Sequence, residues 1–109
     1  MAGSNKYHEV NSTTAGILKA HQLLTERAIV LAESFQEGDR EVPIKIQNIL
    51  VQLQTSLDIR FQVSRDIHEV LAKLWDVVDS EDLDGILGVA EVLRTHLSTL
   101  KSLQGIHEK

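Results

Sequence analysis

At 109 residues the chain has room for one compact domain around a single core, since domains commonly take roughly 100–200 residues. Apolar residues make up 42% and charged residues 25%, which argues against disorder; apolar runs last only a few residues, far short of the roughly 20 that cross a bilayer. Eleven basic against sixteen acidic residues leave a net charge of −5, the wrong sign for neutralising phosphates, so neither nucleic acid nor a membrane surface is an expected partner.

Met1–Asn11 is polar, with no apolar stretch of the kind a secretory signal carries, and reads as a flexible N-terminal segment of a cytoplasmic protein. Ser12, Thr13 and Thr14 then offer caps for a first helix. After Gly16, Ile17, Ala20, Leu24, Ala28, Leu31 and Phe35 recur at spacings of three and four, one stripe of an amphipathic helix. It stops at Glu37-Gly38-Asp39, where Gly38 suits a left-handed residue and Asp39 suits a cap for the next helix.

Pro43, the only proline, fits the first turn of a second helix, whose stripe is Val42, Ile46, Ile49, Leu50, Leu53 and Leu57. Ile44/Ile46 and Val51/Leu53 also alternate as strand residues would, but Gln47, Asn48, Gln52, Gln54 and Ser56 fall mostly away from the stripe and favour helix. No glycine or proline marks the next boundary; Asp58 or Ser64 is the expected cap of a third helix bearing Val63, Ile67, Val70, Leu71, Leu74 and Val78. Asp79-Ser80-Glu81-Asp82 reads as a turn in which Ser80 caps a fourth helix. That helix carries Leu83, Ile86, Ala90, Leu93, Leu97 and Leu100 in a regular heptad seam and is expected to end at Gly105. The predicted fold is therefore all-α: an antiparallel four-helix bundle over residues 12–105, with a flexible segment at 1–11 and a frayed tail at 106–109. Apolar residues off the stripes (Leu18, Leu23, Ile29, Val30, Val51, Val77, Val89 and Val92) imply either wide core faces or a surface that wants a partner.

No arrangement of catalytic or metal-ligating residues emerges. The chain has no cysteine, which removes disulfides, thiol catalysis and cysteine-ligated zinc. Of the five histidines, His21, His68 and His96 lack the preceding Glu-x-x of a di-iron bundle, and Ala72 stands where a zinc-protease helix beginning at His68-Glu69 needs its second histidine. All five read as surface or boundary residues. Glu81, Asp82 and Asp84 lack the spacing of a calcium loop, and no serine lies in a nucleophile elbow. The expectation is a non-enzyme with no metal and no cofactor. Trp75 reads as a core or core-edge residue that could anchor an interface, and Tyr7, placed before the first helix, as an exposed ring or one lying across an interhelical groove.

Several of these residues together carry a resemblance. Tyr7, Ser12-Thr13-Thr14-Ala15-Gly16-Ile17-Leu18, the Glu37-Gly38-Asp39 turn, Ile44-Lys45-Ile46-Gln47-Asn48-Ile49-Leu50 running on to Ser56-Leu57-Asp58, and Leu74-Trp75-Asp76-Val77-Val78 resemble the flagellar export chaperone family FliS. Ala15 stands where that family usually has proline, and Val77 where it has a second aromatic. The resemblance spans residues 7–97 and is most specific over 44–58. It implies a cytoplasmic chaperone that holds the disordered C-terminal segment of flagellin, or a related secretion client, in hydrophobic grooves, preventing premature polymerisation and aiding export. Tyr7, Ile46, Ile49, Leu50, Leu53, Leu57 and Trp75 are the partner-binding residues that motif match and surplus apolarity indicate, with burial in the core as their alternative role. The competing expectation is a structural bundle that self-associates through the Leu83–Leu100 seam and has no secretion client.

Overall fold

In the computed structural model the backbone is described for residues 2–57 and 61–108 and the side chains for 14–57 and 61–106. Four helices account for nearly all of it: α1 (Ala2–Glu33), α2 (Glu41–Thr55), α3 (Gln62–Asp79) and α4 (Leu83–Glu108), with no strand among the described residues. Each helix packs beside its neighbours in chain order, and α4 closes the bundle against α1, giving a body of 56 × 22 × 20 Å. Side chains fix the antiparallel register of that closure: Gln104 donates to Gln22, and Arg94 pairs with Glu33. Glu33 raises the Arg94 guanidinium above its ordinary range, by hydrogen bonding first and by charge second. The pair is exposed, so it orients the helices more than it stabilises them.

The stripes of α2, α3 and α4 face inward much as their spacing predicts. Val42, Ile46, Ile49 and Leu53 of α2 meet Val63, Ile67, Leu71, Leu74 and Val78 of α3, and Ile86, Ala90, Leu93 and Leu100 of α4 complete the core. Helix α1 is turned relative to expectation. Its buried residues are Thr14, Leu18, His21, Thr25, Ala28, Ile29 and Ala32, with Phe35 buried just beyond its end; of the expected stripe Ala28 and Phe35 are therefore inside, Ile17, Leu24 and Leu31 are half-buried and Ala20 is exposed. Three polar residues hold seam positions, so a stripe drawn through apolar residues alone falls along the edge of the buried face rather than its centre.

His21 shows why that seam can be polar. The ring is completely buried, and its Nδ1 lies 2.7 Å from Ser64 Oγ on α3 while its Nε2 lies 3.0 Å from Ser56 Oγ at the end of α2. Ser56 Oγ can in turn donate to the carbonyls of Gln52 and Leu53, each at 3.2 Å, and so accept from Nε2–H. Thr25, also fully buried, donates to the His21 carbonyl at 2.7 Å. One imidazole thus joins three helices, and the expected surface or boundary histidine is instead part of the core. His68 contrasts with it: among the described residues its Nε2 is the buried side-chain polar atom with no hydrogen-bond partner. Replacing His68 by leucine removes that unsatisfied atom and should stabilise the bundle by about 1 kcal/mol, read from urea unfolding midpoints.

The connections explain the remaining differences. Gly38 has φ 87°, the left-handed conformation expected of it, and Asp39 Oδ1 accepts from the backbone N–H of Glu41 at 2.9 Å and Val42 at 3.3 Å, capping α2 as predicted. At the same end, Glu81 (φ 57°) accepts from the Gly38 N–H and ties the α3–α4 turn to the α1–α2 loop. Ser80 ends α3, donating to the Asp76 carbonyl, and Asp82 rather than Ser80 caps α4 by accepting from Gly85 N–H at 3.0 Å. Ser64 is not a cap either; it is spent on His21, and Asp58 lies outside the described residues. Helix α1 starts at Ala2, so Ser12, Thr13 and Thr14 stand inside it rather than at its start, and position 7 belongs to the helix. Gly105 does not stop α4, which runs on through Glu108; among the described residues Gly38 is the glycine with positive φ.

Gly85 and Gly88 both lie in α4 but in different surroundings. A Cβ on Gly85 would come 2.5 Å from Asp82 Oδ2 and 2.9 Å from Val77 Cγ1, whereas one on Gly88 would meet nothing within 4 Å. Gly88→Ala should therefore stabilise by about 1 kcal/mol through helix propensity. Gly85→Ala should lose about 1 kcal/mol net, because the crowded Asp82 cap and Val77 outweigh the same gain. Equal shifts of the two unfolding midpoints in one direction would contradict this reading.

Candidate partner-binding grooves

Two surface grooves are lined by residues from the most specific part of the sequence resemblance. The first runs between α2 and α3. Near the α1–α2 loop it opens as a cavity of about 490 Å³ bounded by Gly38, Asp39, Arg40, Pro43, Ile44, Gln47, Trp75, Val78, Asp79 and Glu81. It continues past Gln47 and Trp75 into a shallower cavity of about 260 Å³ lined by Leu50, Ala72 and Asp76. Trp75 and Gln47 belong to both parts, so the two form one trough. The second groove, of about 520 Å³, lies between α1 and α2 and is lined by Ala20, Leu23, Leu24, Arg27, Gln52, Thr55 and Ser56.

The local reason for the first groove is the side-chain pattern on α2. Val42, Ile46, Ile49 and Leu53 point into the core, which turns Pro43, Ile44, Gln47 and Leu50 towards the flank shared with α3. Ile44 is 61% exposed, a large apolar side chain left in water. Trp75 and Leu50 are half-buried, packed on the core with one side free. An aromatic ring fixed by the core beneath it loses little further freedom when a partner covers its outer face, which is how interface anchors commonly behave.

The candidate residues from the sequence therefore divide. Leu50, Leu57 and Trp75 lie at the core's edge, and Leu50 and Trp75 come together in the α2–α3 groove. Ile46, Ile49 and Leu53 are at most 1% exposed and serve as core, so no partner reaches them in the closed bundle. The side chain of Tyr7 lies outside the described residues. Sequence reasoning passed over Pro43 and Ile44 as groove residues. Their signal was the strand-like alternation of Ile44 with Ile46, which on a helix marks an apolar residue facing away from the stripe.

Among the described residues no group of three or more His, Asp or Glu side chains is gathered closely enough to hold a metal ion, and no helix is long and apolar enough to cross a membrane. Comparison with protein-family profiles, with curated proteins and with solved structures gave no match.

Proposed function

We propose that the chain is a cytoplasmic, non-enzymatic export chaperone that holds a disordered apolar segment of a secreted client, the C-terminal segment of flagellin being the client its FliS-like motifs imply. The observation that carries this reading is the α2–α3 groove: Trp75, Leu50 and exposed Ile44 present an apolar strip on a bundle whose own core is already complete. Helix-in-groove recognition needs such anchors at helical spacing and no reacting group. A disordered client loses conformational entropy on binding, so the second groove, with half-exposed Leu23, gives the wrapping surface the affinity requires. Of the α4 seam on which the self-associating alternative rests, Ile86, Ala90, Leu93 and Leu100 are buried inside the bundle and Leu97 is half-buried, while Leu83 stays exposed. Titration calorimetry with a synthetic flagellin C-terminal peptide tests the proposal. Saturable binding in the micromolar range or tighter is expected; absence of heat at high micromolar peptide, with the chain folded, would overturn it.

A further inference from the structure

We infer that the α2–α3 groove selects a client segment that is basic as well as apolar. This deepens the groove reading above and rests on it. The floor is apolar, formed by Ile44, Leu50 and Trp75, but the rim is acidic: Asp39, Asp76, Asp79 and Glu81 stand against the single cation Arg40. Asp39 is occupied in capping α2 and one Glu81 oxygen accepts from Gly38, whereas among the described residues Asp76 and Asp79 have no ion-pair partner. Their position on α3 sharpens the point. Both lie towards its C-terminal end, where the helix dipole is negative, and the last turn contains no basic residue to offset it. Two carboxylates at the negative pole of a helix cost stability in the free protein. A partner that brings Lys or Arg beside them relieves that repulsion and adds charge pairing over a low-dielectric apolar floor.

The occupant this geometry fits is a short amphipathic helix. Pro43 to Leu50 spans two helical turns, about 10 Å at 1.5 Å per residue, so two successive apolar side chains of such a helix can meet Ile44 and Trp75 while flanking cations face Asp76 and Asp79. An acidic client with the same apolar face would be repelled at the same rim.

Trp75 is the only tryptophan, so its emission reports occupancy of this groove directly. The test titrates the full chain with two synthetic amphipathic peptides that share one leucine face and differ only in carrying lysine or glutamate on the other. The lysine peptide should shift Trp75 emission and bind at least about tenfold more tightly at low ionic strength, as expected if a few exposed charge pairs contribute. Most of that advantage should vanish at 0.5 M salt, taken as ~0.5 M to shorten screening to a few ångströms, and in the Asp76→Asn/Asp79→Asn variant, whose fold should be unharmed or slightly stabilised. Equal binding of both peptides would overturn the charge selection while leaving the groove as a client site. No emission change with either peptide would overturn both. A salt-insensitive dimer in sedimentation, with Trp75 already shielded, would assign the groove to a second copy and overturn the inference too.

Discussion

His21→Ala should cost about 3 kcal/mol of folding stability, a large share of the roughly 5–15 kcal/mol available to a domain. The substitution removes both imidazole bonds, leaves the fully buried Ser64 hydroxyl without its His21 partner, and opens a void where α1, α2 and α3 meet. In a chain of this length that corresponds to a fall in the melting temperature of about 15 °C. A cycle combining His21→Ala with Ser64→Ala should show coupling of about 1 kcal/mol, since once the ring is gone the second loss is partly prepaid. A fall of only a degree or two would show that the three-helix junction contributes little and that the ring is merely tolerated.

Trp75→Ala should weaken binding of the flagellin C-terminal peptide by about 2 kcal/mol, roughly 30-fold, the size of effect typical of a central aromatic anchor. Trp75 also packs on the core, so this variant loses stability, and binding must be compared per folded molecule. Ile44→Ser separates the two effects. Ile44 is exposed, so the bundle should be unchanged while affinity drops by about tenfold. Leu53→Ala should do the reverse: a loss of about 3 kcal/mol in stability from a cavity in the core, with unaltered affinity of the molecules that remain folded. Affinity that follows Leu53 rather than Ile44 would place the client inside an opened bundle instead of along its flank.

Much of the architecture was legible because three of the helices obey the simplest rule, apolar residues at spacings of three and four. Glycine with positive φ at Gly38 and the Asp39 cap were legible for the same reason, as each has one dominant use. Helix α1 was misread because its inward side is shared between apolar and polar residues: nothing in the local sequence reveals that Ser56 and Ser64, 35 and 43 residues away, will satisfy His21. Ser64, one of two candidates for a cap, and Ser80, expected as another, show the converse effect. Each has a suitable hydroxyl, but a buried partner claims the first and the end of the preceding helix claims the second. The groove was half legible. Trp75 and Leu50 stood out through motif and size, while Ile46, Ile49 and Leu53 could not be told from groove residues until the orientation of α2 was known.

The His21 junction also discriminates among ways of assembling the same helices. Leucine-rich faces tolerate sliding, because one apolar contact resembles another a heptad away. If α1 slipped by seven residues in either direction, Thr14 or Ala28 would arrive between Ser56 and Ser64, and neither side chain can bridge two hydroxyls as an imidazole does. His21 itself would be carried along the interface to a place without its serine partners, at a cost of a few kcal/mol. The junction therefore acts as a lock on alignment: it penalises shifted bundles that hydrophobic burial alone would accept, and holds Trp75 and Ile44 at one fixed height along the molecule.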